Sequence, residues 1–430
     1  MGKETESGRP TRSFKSIGQK CRINLRHLRA FDAAARLGSL NQAGSAVHMS
    51  QSSVVYAIKQ VEDFFGAALL KRDARGSQLT SSGKLVHARI MTFFAMLETA
   101  VASSAARAGG VEHTGSKRIA GALTWQHILA VIGVARLRCV NSVALEFGVS
   151  AAVIMQRVRD VERLFDCKLF IRNADLIVPN TMGMELFVKF GVAAKELDYA
   201  MDDLAPSIET HLSTISLGCL GFAHTGLLPT TLTHYASKSR PLIIRLIEES
   251  FDSMLGQLLS GDLDYLICTR RENMAALGLV GEEIFRTSFA IACRQGHPLT
   301  CVDTISPDNL AAFDWVLPKQ GSAMRRICEE IFRVAGWPDG AFVETSSAAV
   351  SLEILRSSDR LMIATRHDIL ANVQAGDLAM LSYPLPAAPR PVFVYQRKGF
   401  TPPPFHREFI GYLKASGLMM KQRGIKASLT

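Results

Sequence analysis

The chain has 430 residues, of which 48% are hydrophobic, and a formal net charge of +10. That length exceeds one ordinary hydrophobic core, so two or three domains are expected. Its 8 cysteines are scattered and include no C-x-x-C pair, which excludes a disulfide-stapled miniprotein and a paired-cysteine metal or redox framework.

The segment from Met1 to Lys20 is polar and basic, with no apolar stretch of the kind a secretory signal needs, and no apolar run of bilayer-spanning length is expected further on. The chain is therefore placed in the cytoplasm, with residues 1–22 as a basic disordered arm. The charge is unevenly divided. Residues 1–110 carry 16 Lys+Arg against 7 Asp+Glu, residues 111–212 carry 11 against 12, and residues 213–430 carry 22 against 20. An excess confined to one end, and continuing into sequence with folded character, is the footprint of a surface that meets nucleic-acid phosphates.

An ungapped offset of 100 aligns residues 23–83 with 123–183. Among the matches are His27/His127, Arg36/Arg136, Asn41/Asn141, Ser50/Ser150, Glu62/Glu162, Phe65/Phe165, Leu69/Leu169 and Gly83/Gly183. Val54, Ile58, Val61 and Phe65 form an apolar helical stripe, and Ile154, Val158, Val161 and Phe165 repeat its spacing. Two copies of one small helical domain follow, at about 23–82 and 120–182, each with a following linker helix, 83–110 and 183–212.

In the first copy the pattern predicts a helix from Leu25 to Leu37 stopped by Gly38, and a short helix capped by Ser39 that runs to Val47. A longer helix follows, capped by Ser50 and ending near Phe65, with Gln51, Ser52, Ser53, Tyr56 and Lys59 on its exposed part. Lys71, Arg72 and Arg75 lie in a short hairpin, Leu69 to Thr80, suited to straddling a phosphate backbone. A long Ala-rich helix, about Gly83 to Arg107, completes the copy.

The run from Leu28 to Gly83, with its S-Q-x-x-V helix start, L-x-K-R hairpin and L-T-x-x-G helix opening, resembles the DNA-binding domain of LysR-type transcriptional regulators. The resemblance implies that Ser52, Ser53 and Tyr56 face base edges. It also implies that Gln51 and Lys59 contact bases or backbone, and that Lys71, Arg72 and Arg75 grip phosphates. The second copy has Ala151, Ala152 and Val153 where the first has Gln51, Ser52 and Ser53, so its reading surface is lost while its core is kept. A structural or protein-contacting role is expected for it ahead of a second DNA site, although Gln156, Arg157 and Arg159 remain as candidate contacts.

From about Thr214 strands alternate with helices: Ile215–Leu220, a helix from Thr225 to Ser237, Leu242–Ile247, Met254–Ser260 and Asp264–Cys268. The pieces GLLP (from Gly226), LLSGDLDYLI (from Leu258), GHPL (from Gly296) and LPKQGS (from Leu317) are similar to the effector-binding domain of the same family. The fold class expected is α+β multidomain: two winged helix-turn-helix domains, mainly α, and an α/β two-lobed effector domain over 213–430 like periplasmic binding proteins. Lobe I is placed at about 213–293 and 391–430, and lobe II at about 294–390. Strand ends and helix starts nominate Leu220, Gly221, Phe222, Thr269, Arg270, Gly321, Ser322, Thr345 and Ser346 as effector contacts, with Ser322 equally suited to capping its own helix. Glu344 to Ser346 with Ser358 to Arg360 resembles the branch sensing galactose-type sugars and related aromatic acids.

The implied partners are double-stranded promoter DNA, a small acid or sugar as effector, RNA polymerase, and further copies of the chain in a homodimer or homotetramer joined through linker helices. No cofactor, metal or membrane is expected. An enzyme is the first competing reading, disfavoured because His211, His224, His234, His297 and His367 have no metal spacing and no nucleophile elbow or phosphate loop is present. Two others stay open: a redox sensor acting through Cys293 and Cys301 beside His297, and a DNA-binding architectural protein with a vestigial sensor domain.

Overall fold

The computed structural model describes residues 23–73, 76–107, 113–173, 176–204, 213–220, 226–236, 242–337, 342–345, 347–385 and 388–426. They divide into two compact units, Met1–Ser213 with Leu259–Asp262, and Thr214–Leu258 with Leu263–Thr430.

The first unit opens with α1 (Leu25–Leu37), whose N-terminal donors are met by the Asn24 side chain and which Gly38 ends at φ 66°. Ser39 caps α2 (Leu40–Val47) and Ser50 caps α3 (Gln51–Phe65), as their positions before apolar periodic runs predict. Leu28, Phe31, Val54, Val61 and Phe65 pack with no exposed surface. Strands β1 (Leu70–Asp73) and β2 (Gly76–Leu79) form an antiparallel hairpin, and α4 (Ser81–Arg107) follows. Two side-chain choices fix the hairpin against the helices. The Glu62 carboxylate turns inward and accepts the N–H groups of Leu69 at 2.8 Å and Leu70 at 3.1 Å. Gly83 lets α4 pass so close that a Cβ there would stand 2.0 Å from the Leu69 carbonyl oxygen.

Helix α5 (His113–Ala122) is an element the sequence pattern did not reveal. It ends under the Arg29 guanidinium, which donates to the carbonyls of Ala120 at 2.6 Å and Gly121 at 3.3 Å, satisfying acceptors that a helix end leaves open. Then come α6 (Trp125–Leu137), α7 (Val140–Phe147), α8 (Ala151–Phe165), β3 (Phe170–Asn173), β4 (Leu176–Pro179) and α9 (Thr181–Leu204). The elements α6 to α8 have the lengths of α1 to α3, and the local devices recur with them. Glu162 accepts the Leu169 N–H at 2.9 Å, and a Cβ on Gly183 would stand 2.1 Å from the Leu169 carbonyl oxygen. Helices α4 and α9 lie against each other in a shared core of Val86, Ile90, Phe93 and Leu97 with Leu186, Phe190, Ala193 and Leu197, none more than 1% exposed. Contrary to expectation, Ser81–Ser104 in α4 is long and apolar enough by composition to cross a membrane. Its apolar stripe is instead the one that fills this core.

The second unit carries two five-stranded sheets. The first is built from β5 (Ser213–Cys219), β6 (Leu242–Ile247), β7 (Tyr265–Thr269), β8 (Leu279–Thr287) and a late strand, with α10 (Leu227–Ala236) and α11 (Phe251–Ser260) between the early strands. The second is built from β9 (Phe289–Arg294), β10 (Trp315–Leu317), β11 (Val343–Glu344), β12 (Leu361–Thr365) and β13 (Leu378–Leu381). Helices α12 (Pro307–Ala311), α13 (Ala323–Ala335), α14 (Ala348–Arg356) and α15 (Arg366–Gln374) connect them. The chain then returns as β14 (Arg390–Arg397) to the first sheet and ends in α16 (Pro404–Lys426). The orders are β6-β5-β7-β14-β8 and β11-β10-β12-β9-β13. Strand β5 is parallel to β7 and β10 to β12, whereas β14 and β9 run antiparallel to their neighbours. The expected crossing near Cys293 is corrected: β9 already belongs to the second sheet, so the chain crosses at Ser288, directly after β8.

Candidate functional site

On α3 the buried residues Val54, Ala57, Ile58, Val61 and Phe65 occupy one side, so Ser52, Tyr56 and Lys59, spaced by four and three, line up on the opposite one. Gln51, Ser52, Tyr56 and Lys59 are all exposed, Tyr56 by 59%, an unusual degree for an aromatic ring. The ring is held from one side by an edge contact with His27 at 5.9 Å. Burial, then the neighbouring Arg26, holds that imidazole below its usual range, so it is neutral at pH 7. Ser53 is half-buried, and its hydroxyl lies 2.8 Å from the capping hydroxyl of Ser50, which also accepts the Ser53 N–H. Lys71 stands exposed on β1 opposite Gln78. Arg72 pairs with Ser77 through its backbone, while its side chain and all of Arg75 lie outside the described residues. A polar stripe at a helix start and a basic hairpin together offer what base edges and phosphates require.

The corresponding face of α8 is different in kind. Ala152 and Val153 are exposed there, and Leu145, Ile171 and Leu176, at the positions of Ser45, Lys71 and Gly76, are 86%, 57% and 50% exposed. The Gln156 amide donates to Asp160 at 2.8 Å, and Arg163 also bonds that carboxylate. Ala152 and Val153 stand where Ser52 and Ser53 stand, and an amide committed to Asp160 stands where Tyr56 does, while Arg159, at the position of Lys59, stays exposed.

In the second unit, Thr269 and Arg270 stand at the end of β7, half-buried and exposed respectively. Leu220 follows β5 with its N–H on the Ile267 carbonyl at 3.4 Å; Gly221, Phe222 and Ser346 lie outside the described residues. Ser322 caps α13, its hydroxyl accepting the Arg325 N–H at 3.1 Å, with the exposed Gly321 before it at φ 78°. Thr345 bonds back to the Leu317 carbonyl and accepts the Ser347 N–H at 3.0 Å. Of the two triplets read as resembling the branch for galactose-type sugars and related aromatic acids, Glu344 pairs with Arg325, Asp359 with Arg294 and Arg360 with Asp314.

Beside Arg270 lie three arginines that sequence reasoning passed over, Arg271, Arg326 and Arg390. The Arg270 N–H reaches the Pro391 carbonyl at 2.9 Å, so the start of β14 lies beside the end of β7. Burial, with Arg326 of the second lobe and Arg271 of the first beside it, lowers the affinity of Arg390 for its proton. Arg271 after β7, Arg326 on α13 and Arg390 at the start of β14 thus act on one another as like charges. The adjacent pair Arg270-Arg271 was the only hint available in sequence. By contrast Cys293 is fully buried, and burial pushes its thiol up to about 12, away from the thiolate a redox sensor needs.

Residues 25–84 match the family described as bacterial regulatory helix-turn-helix protein, lysR family, and residues 210–417 match the LysR substrate binding domain. The HTH-type transcriptional regulator GalR of Pseudomonas putida is 26% identical over 380 residues, 87% of this chain and 93% of that protein. The regulator PcaQ of Agrobacterium fabrum is 23% identical over 60% of this chain and 84% of its own length. Among solved structures, ArgP from Mycobacterium tuberculosis superposes with a TM-score of 0.55 at 13% identity, over 68% of this chain and 96% of that one. An OxyR from Pseudomonas aeruginosa does so at 0.50 and 18%, over 69% and 94%, so both share the fold. With a reading head at one end and a two-lobed α/β domain at the other, each matched in its own segment, the chain belongs to the LysR family of DNA-binding transcription regulators and is not an enzyme.

Proposed function

We propose that the first helix-turn-helix reads duplex DNA through Gln51, Ser52, Tyr56 and Lys59, with Ser53 shaping the helix start and Lys71, Arg72 and Arg75 holding the flanking phosphates. The observation that carries this is the polar stripe on α3, exposed directly opposite its buried one. Residues 120–182 are a degenerate duplicate of that head which has lost its reading surface. The chain works in the cytoplasm as a homo-oligomer on promoter DNA, in reach of RNA polymerase.

The effector sits between the two α/β lobes, with Leu220, Gly221, Phe222, Thr269, Arg270, Gly321, Ser322, Thr345 and Ser346 as its contacts. Arg271, Arg326 and Arg390 favour a small carboxylic acid over a sugar, because a neutral polyol leaves the repulsion of Arg390 by the other two unrelieved. Closure of the lobes on the acid changes the set of conformations open to the DNA-binding end. A thermal-shift screen of small mono- and dicarboxylates with the full chain tests this. An acid at ~100 times its Kd should stabilise the protein by ~2.7 kcal/mol. Arg390→Ala should weaken that acid by roughly 10- to 150-fold, the loss of a charge-assisted hydrogen bond. Stabilisation by uncharged sugars alone, unchanged in Arg390→Ala, would refute the acid assignment.

A further inference from the structure

We propose that the second head takes, within the same chain, the place a second chain would otherwise fill: α4 and α9 form a closed intrachain pair, so each chain presents one paired-head unit with a single reading face. This rests on reading residues 120–182 as a duplicate of the first head. It replaces the expected joining of two chains through their linker helices.

The contacts have the reciprocity of a two-fold interface. Arg89 of α4 bonds Asp203 of α9 at 2.7 Å, and the residue equivalent to Arg89, Lys189 of α9, bonds Ser103 of α4, the residue equivalent to Asp203. A contact of i with j matched by j with i is the signature of a self-complementary patch. In both cases an early residue of one helix meets a late residue of the other, so the helices run antiparallel. The apolar positions obey the same rule: Val86, Ile90, Phe93, Leu97 and Ala100 are buried, and so are Leu186, Phe190, Ala193, Leu197 and Ala200. A self-complementary patch filled in this way has no free copy left for another chain. The large apolar residues left exposed on α4 among the described residues, Leu85 and Met91, fall outside the filled stripe.

Two further features favour pairing within the chain. The connector from residue 108 to residue 124 is short and contains α5, which Arg29 fastens to the first head. Such a tether gives the second head an effective concentration on the order of mM, above what a separate chain reaches in solution. The pair is also specific to unlike partners. Arg89 is buried and is charge-paired on two sides, by Glu196 at 3.0 Å and Asp203 at 2.7 Å, with the Tyr199 ring 5.4 Å away. Two first heads facing each other would set Arg89 against Met96, Thr99 and Ser103, with no carboxylate to meet it. Like heads are thereby disfavoured and unlike heads selected.

Cross-linking the full chain tests the pairing at two half-buried positions. Ser103→Cys and Lys189→Cys are placed either on one chain or separately on two co-expressed chains, treated with a short bismaleimide, and the 103–189 linkage is read by peptide mass spectrometry. The proposal expects the linkage when both cysteines share a chain and none when they are on different chains. Linkage between chains overturns it, and so does its absence from the doubly substituted chain while both thiols are alkylated. The cross-linked chain should bind duplex DNA within about twofold of the untreated one. Loss of binding on cross-linking overturns the claim that this pair is the DNA-binding form. Absence of binding by the untreated chain would instead count against the reading of the first head, leaving the linkage result to decide the pairing.

Discussion

Glu62 and Glu162 do the same work at equivalent places in residues 23–83 and 123–183. Each carboxylate supplies the acceptor for N–H groups at the start of its hairpin, and each head needs a glycine, Gly83 or Gly183, where the next helix crosses that hairpin's carbonyl. These positions answer to backbone geometry rather than to a ligand. At Asp368, by contrast, geometry opposes the charge: burial pushes the carboxyl up to about 7 against a bond from the Thr365 hydroxyl at 2.5 Å. Its other oxygen is buried with no hydrogen-bond partner among the described residues. Between about pH 4 and that value the folded chain keeps a proton the unfolded chain has lost, so stability should fall as pH rises and level off above it. Asp368→Asn should flatten this window in urea unfolding and be the more stable protein at pH 8, by at most about 4 kcal/mol. A pH slope unchanged by the substitution would remove the assignment. Among cysteines, hydrogen bonds from Ser142, then the Asn141 backbone, hold Cys139 below its ordinary range, while burial raises Cys219 to about 11 and Cys268, Cys293 and Cys328 to about 12. Among the cysteines of the described residues, iodoacetamide should therefore label Cys139 and the exposed Cys301 first, and peroxide should leave Cys293 and DNA binding unchanged. Early oxidation of Cys293 would revive the redox reading.

Helices α1 to α3 could be placed closely from sequence because the caps Ser39 and Ser50 and the stop Gly38 flank runs of helical period, whereas the Asn24 cap and the Gly66 stop came from the structure. Helix α5 could not, since His113–Ala122 contains Gly115 and Gly121 and no apolar stripe, and its order comes from packing and from Arg29, far away in the chain. The reading stripe was readable for the same reason as the helices: it lies within one element. Arg271, Arg326 and Arg390 were not, because they meet only after β14 has returned to the first sheet. At the level of the element, the two heads should differ in kind. Tyr56→Ala should cost about 1–3 kcal/mol in affinity for a duplex selected by the full chain from a random pool. Gln156→Ala, whose side chain is already committed to Asp160, should change it less than twofold. Equal losses in a binding titration would mean that both heads read DNA.

The whole molecule combines a DNA-reading end, where the charge of +9 over residues 1–110 (16 basic against 7 acidic) is gathered, with a sensing end that is nearly neutral. Specific contacts on α3 matter only if this end neutralises phosphates, and neutralisation has a direct thermodynamic signature in released counterions. The most direct measurement is the affinity of the full chain for a labelled duplex between ~50 and ~200 mM salt, for the native sequence and for Lys59→Ala and Arg159→Ala. The account predicts a steep fall with salt, a logarithmic slope shallower by about 1 in Lys59→Ala, and no change of slope in Arg159→Ala. Salt-independent binding, or a slope that responds to Arg159 and not to Lys59, would contradict it.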